Sequence, residues 1–210
     1  MQLTDFTLMA EETKITLSDK ELELVTNTEW IFTKHKVIQK VIDMFGTVVP
    51  AMEKIAEHNL PTEVLTNRPK ISKGESYQLL PYVMLDYPRC FDKDDTLAIR
   101  TFFWWGNFFS ITLQLSGKYQ LLFSKQLDEN FERLANEDFS ICINDTPWEH
   151  HFDAGNYIAF AEFGKEKFSA IVNSKSFVKL AKKTTLQSWQ TVPEFIVNSF
   201  EEIVQLLQNG

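Results

Sequence analysis

The sequence predicts an α+β fold, an antiparallel sheet around a central aromatic hairpin, packed by N-terminal, middle and C-terminal helices. Three observations predict it. Residues 97–117, LAIRTFFWWGNFFSITLQLSG, place two aromatic and β-branched runs around Gly106-Asn107, a two-residue hairpin signal. Apolar residues recur at helical spacing near the N-terminus, mid-chain and at the C-terminus. The strands between them follow one another as hairpins instead of alternating with helices, which argues against a parallel βαβ sheet.

A simple two-residue turn pairs Trp105 with Phe108, Trp104 with Phe109, Phe102 with Ile111 and Arg100 with Leu113. Ala98, Arg100, Phe102 and Trp104 then share a core face with Phe109, Ile111, Leu113 and Leu115, and the opposite face carries Ser110, Thr112 and Gln114. On such a face the Arg100 guanidinium must meet a carboxylate, carbonyls or a ligand anion, because an unpaired buried charge is costly. A bulge at Gly106 is the alternative, and it moves Arg100 to the polar face. No membrane span is expected: the apolar run is shorter than the roughly 20 residues a span needs, and Arg100, Asn107 and Gln114 interrupt it.

In chain order, residues 1–17 read as a short strand or extended arm. Ser18 and Glu21 form a capping box that opens a helix to about Thr26. A helix over 28–45 follows, with Ile31, Ile38, Val41, Ile42 and Phe45 on one face; Gly46 breaks or kinks it, and a third helix covers 47–58 with Pro50 in its first turn. Residues 59–76 read as a loop and 76–86 as a strand, with Pro81 implying an edge or bulge, before an aromatic turn at 87–91. The acidic loop of Asp92, Asp94 and Asp95 lacks the glycine and distal Glu of an EF-hand. An amphipathic helix over 118–135 carries Leu121, Leu122, Leu127, Phe131 and Leu134. Residues 139–143 form a short strand, 144–147 a turn, and 148–160 a strand, a turn and a further element. Between Gly164 and Gln190 six lysines and one glutamate make a basic stretch that reads as a solvated strand and helix face. A last helix opens at a Thr191/Glu194 capping box, and its broad apolar face must dock on the sheet.

At 210 residues the chain fits one α+β domain over 1–210, with 18–59 a helical N-terminal segment. Eighteen Phe and five Trp with only seven Gly and seven Pro argue against disorder. A net charge of −8 argues against general nucleic-acid binding. Cys90 and Cys142 fit no metal or redox motif and read as thiols of a reducing, cytoplasmic protein. The first residues carry no basic or sustained apolar leader.

The stretch VVPAMEKIAEHNL at 48–60, Gly74 with Tyr77, LLPY at 79–82, the hairpin, the amphipathic helix and the terminal SFEEIVQLL at 199–207 resemble, in order and spacing, the uncharacterised bacterial YktB-like family. The GNFFSITLQLSG portion departs from it and is far more aromatic. The resemblance implies a fold and a bacterial source and brings no activity.

No Gly-rich phosphate loop, nucleophile elbow or H-E-x-x-H motif is present, and no cofactor is expected. Two constellations remain. Arg89 and Arg100, two of only four arginines, stand with Asp86, Tyr87, Trp104 and Trp105, and two guanidinium groups among aromatics can hold a carboxylate or phosphate compound. His150 joins this set as an acid or base if the sheet brings it close. On a strand, Glu149, His151 and Asp153 point to one side as three candidate metal ligands. The first constellation predicts a non-enzymatic domain that binds an anionic small molecule or a protein partner through an aromatic pocket with arginine anchors. The second predicts a small, metal-dependent hydrolase using His150 and His151. A dimer whose surplus aromatics form an interface is the third reading, and oligomeric state stays open.

Overall fold

The computed structural model describes residues 15–208, so the strand or extended arm expected over 1–17 lies, up to residue 14, outside the described residues. Its contacts group the chain into two compact units, Met1–Lys40 and Val41–Gly210. In the first, Ser18 and Glu21 close the expected capping box on helix α1 (Asp19–Thr26), the Ser18 amide donating to Glu21 Oε2 at 2.8 Å. α1 buries none of its residues. Helix α2 (Thr28–Asn59) is continuous, so Gly46 does not break it. Pro50 lacks the N–H that would reach the Gly46 carbonyl, and the helix runs past this one missing bond. Ile38, Val41, Phe45, Val48, Met52 and Ala56 are its buried stripe, whereas Ile31, expected on that face, is exposed.

The second unit is built on a seven-stranded sheet of order β1-β2-β3-β4-β7-β5-β6, with every neighbouring pair antiparallel. β1 (Lys70–Tyr77) lies mostly where a loop was expected. Its sequence KISKGESY is polar because it is a half-exposed edge strand, held by its ladder to β2 (Leu80–Phe91). The two strands are joined by Gln78-Leu79, both at positive φ, the conformation a tight hairpin needs even without Asn or Gly. The strand does not end at Asp86. A bulge between Asp86 and Arg89 carries the ladder on to Phe91.

β3 (Thr96–Trp104) and β4 (Phe108–Ser116) form the central hairpin, but the turn has three residues, Trp105-Gly106-Asn107. The Asn107 amide donates to the Trp104 carbonyl at 3.0 Å, and Gly106 takes the positive φ of 74°. The register is therefore Trp104↔Phe108, Phe102↔Ser110 and Arg100↔Thr112, one residue from the simple pairing. With a side-chain period of two, that step exchanges the faces of β4 relative to β3. Ile99, Thr101, Phe103, Phe109, Ile111, Leu113 and Leu115 share one face, and Arg100 lies on the other with Ser110, Thr112 and Gln114.

The first face is the main apolar core. Phe45 of α2 meets Phe109 edge-on, and Tyr87 stacks on Phe200 of helix α6 (Val192–Leu206), with ring centroids 6.4 Å apart. α6 buries Val192, Ile196, Phe200, Ile203 and Val204. Its expected capping box does not form: Thr191 sits at ψ 0° and its hydroxyl donates to the Ser188 carbonyl. The mid-chain helix is two pieces, α3 (Gly117–Glu129) and α4 (Phe131–Asn136), broken at Asn130. The buried stripe of α3 is Tyr119, Phe123 and Leu127, which leaves Leu121 and Leu122 exposed.

β5 (Ser140–Cys142) and β6 (Tyr157–Ala159) complete the sheet, with helix α5 (Lys165–Ser174) leading into β7 (Phe177–Thr185). Residues 143–156 hold no strand, contrary to the expectation for 148–153. They cross the second, polar face of the sheet as an irregular segment. Among the described residues no helix is long and apolar enough to cross a membrane.

Candidate functional site

The polar face is organised by Arg100. Asp86 stands directly across the β2–β3 ladder, and the guanidinium grips its carboxylate with two bonds, Nε to Oδ1 at 2.7 Å and Nη2 to Oδ2 at 3.0 Å. The remaining Nη1 lies 3.3 Å from His150 Nε2. An arginine can only donate, so Nε2 is the acceptor and His150 is neutral. Burial is the main cause that drives its pKa down to about 2, with Lys179, Arg100 and His151 adding positive charge. The imidazole also packs on Phe102 at 4.9 Å and on Tyr77 at 5.5 Å between centroids.

Two more side chains pin the crossing segment. The Tyr77 hydroxyl accepts from the His150 amide at 2.7 Å and the His151 amide at 3.1 Å, and donates to Glu149 Oε2 at 3.0 Å. Lys179 of β7 is 1% exposed, and its ammonium donates to the carbonyls of Pro147 and Glu149. Burial lowers its pKa to about 8. Asn156 is fully buried; its amide donates to the His151 carbonyl and it accepts from the Cys142 thiol at 3.6 Å. Burial pushes the Cys142 and Tyr157 pKa values up.

Of the residues singled out from sequence, Asp86, Arg100, Trp104 and His150 therefore share one face. Tyr87 turns to the helical face, and Trp105 in the turn contacts Phe103 there. Arg89 donates from Nε to the Arg68 carbonyl at 2.8 Å and makes no contact with the Asp86–Arg100 pair. Glu149, His151 and Asp153 do approach one another, but Asp153 lies 3.3 Å from Nδ1 and Glu149 3.8 Å from Nε2 of the same ring. Carboxylates at opposite ring nitrogens cannot close with that imidazole round one ion. Among the described residues no group of three His, Cys, Asp or Glu is arranged to hold a metal.

Tyr77, Lys179 and Asn156 were missed in the sequence. Lys179 alone carried a signal: it alternates with Phe177 and Ala181, which marks an inward position. Tyr77 lay in a segment that straddled an unrecognised hairpin.

The crossing segment leaves a cleft at each end of the polar face. At the hairpin tip, Trp104, Phe108, Phe152 and Leu80 form apolar walls, with Gln78, Asn107, Asp153 and Lys183 on the rim and a volume of about 530 Å³. Phe152 meets Phe108 edge-on and stacks on Tyr157, with centroids 4.6 Å apart. The Lys183 ammonium lies 4.7 Å over Phe152 and 5.8 Å over Phe108. At the opposite end, Phe91 and Trp148 border a cleft of about 380 Å³ floored by Thr96, Gln114 and Ser116. No family model, no curated protein and no solved structure matches the chain.

Proposed function

We propose that the chain is a non-catalytic binding domain that takes an anionic organic ligand with a flat apolar body at the hairpin-tip cleft. One observation carries the reading. Lys183 is an exposed cation held over two aromatic rings, with no carboxylate partner among the described residues. An aromatic body can enter against Trp104, Phe108 and Phe152 while its anion meets the Lys183 ammonium, and the Gln78 amide on the rim can donate a hydrogen bond. The cleft volume is within the roughly 300–1,000 Å³ of small-molecule sites.

Lys183 replaces Arg100 as the anchor in this reading. The Arg100 fork is already shared between Asp86 and His150, so an incoming anion would have to displace a bidentate carboxylate. His150 Nε2 is occupied by the same guanidinium, which disfavours it as an acid or base.

The test is a thermal-shift and calorimetric screen with aromatic carboxylates and aromatic phosphates. A hit should raise the Tm of the wild type, lose the effect in Lys183→Glu and keep it in Arg89→Ala. If no member of either class binds, or if Lys183→Glu binds as the wild type does, the reading fails.

A further inference from the structure

The second cleft has the opposite chemistry. Phe91 and Trp148 lie against each other with centroids 6.5 Å apart and planes 36° apart, yet they are 41% and 56% exposed. They form one two-ring surface that folding leaves open to solvent. The charges lining the cleft are Asp92, Asp94 and Asp145 against Lys93. Asp145 has a partner, Lys175, at 3.4 Å. Asp92 and Asp94 have no cationic partner among the described residues.

The floor of the cleft is polar, made by Thr96, Gln114 and Ser116. Thr96 is 7% exposed, faces the polar side of the sheet from the start of β3, and lines the cleft. Gln114 lies beside it on the same face of the sheet, and both line the cleft. A polar floor of this kind is suited to a guest that carries a hydrogen-bonding group.

We infer that the Phe91–Trp148 cleft binds an organic cation of the alkylammonium class, with the aromatic pair facing the cationic head and Asp92 and Asp94 supplying the counter-charge. The pieces fit that class for separate reasons. An aromatic face attracts a cation within about 6 Å of its centroid and gains most from weakly hydrated, alkylated ammonium heads. Unpaired carboxylates at the rim attract cations and repel anions. The Thr96 hydroxyl and Gln114 carbonyl can accept from an N–H or O–H on the guest. This site is independent of the hairpin-tip cleft, which lies at the other end of the β3–β4 hairpin and carries an exposed lysine.

The experiment is a titration of the full chain with choline, followed by calorimetry in every variant and, where Trp148 is present, through its indole N–H resonance, assigned by its loss in Trp148→Phe. A matched titration with 3,3-dimethylbutan-1-ol, the uncharged isostere of choline, runs beside it in the same salt. The expected result is a saturable shift with choline, a weak or absent one with the isostere, and binding about tenfold weaker in Trp148→Ala and several-fold weaker in the double variant Asp92→Asn/Asp94→Asn. A trimethyllysine peptide separates the two sources of this head group: tighter binding than choline assigns the site to a protein side chain, and weaker binding assigns it to a free small molecule. The inference is overturned if choline gives no saturable shift, if the isostere binds equally well, or if a correctly folded Trp148→Ala retains the wild-type affinity.

Discussion

Asp86 and Arg100 face each other across the β2–β3 ladder and meet in a bidentate pair, at 2.7 Å and 3.0 Å, under the segment that carries His150. Their side chains are only 10% and 16% exposed. A pair in this position contributes little over an apolar pair of the same volume, but breaking it leaves a charge out of water. Asp86→Ala should therefore cost about 3 kcal/mol or more in urea denaturation. The double variant Asp86→Leu/Arg100→Met should recover most of that loss. A single variant of wild-type stability would show that water reaches the guanidinium.

His150 couples stability to pH. In the folded chain its pKa is driven down to about 2 from an ordinary value of 6.5. Below 6.5 the unfolded chain binds a proton that the folded chain does not, so this contribution is complete above 6.5 and is lost as pH falls. The slope is about 1.4 kcal/mol per pH unit. Between pH 7 and pH 5 the wild type should lose more unfolding free energy than His150→Gln by that slope. Equal slopes would show that His150 takes up its proton while folded.

Tyr77 holds the crossing segment through one oxygen. Tyr77→Phe removes the acceptor of the His150 and His151 amides and should cost about 1–3 kcal/mol. Hydrogen exchange should quicken at those two amides and stay slow in the β3–β4 ladder. Unchanged exchange at 150 and 151 would mean that the Lys179 bonds to the Pro147 and Glu149 carbonyls suffice to hold the segment.

Gly117 opens α3 at a φ of 56°, and a Cβ there would collide with the Asp94 carbonyl and the Asp95 carboxylate. The Asp95 carboxylate cannot easily withdraw, because it accepts the Lys118 amide at 2.8 Å. Gly117→Ala should cost about 1–3 kcal/mol. Gly106→Ala has the same sign of φ but open space around it, and should cost less. Equal urea midpoints for the two variants would show that crowding at Gly117 adds nothing.

Local chemistry determined much of this protein from the sequence alone. The α+β class, the aromatic hairpin, the Ser18–Glu21 cap, the short strand at β5 and the docking of the C-terminal helix follow from periodicity, caps and turn residues, which act within a few positions of one another. What local chemistry could not decide was the register of the hairpin. Gly106-Asn107 is compatible with a two-residue or a three-residue turn, and the one-residue difference moves Arg100 from an apolar to a polar set of β4 neighbours. β1 was illegible because an edge strand needs only its backbone ladder and can carry polar side chains. The polar cluster was beyond reach for a further reason. Arg100 meets His150 across 50 positions and Tyr77 meets the His150 amide across 73. Those encounters exist because β7 inserts between β4 and β5 and lays residues 143–156 over the sheet, and only tertiary packing sets that order.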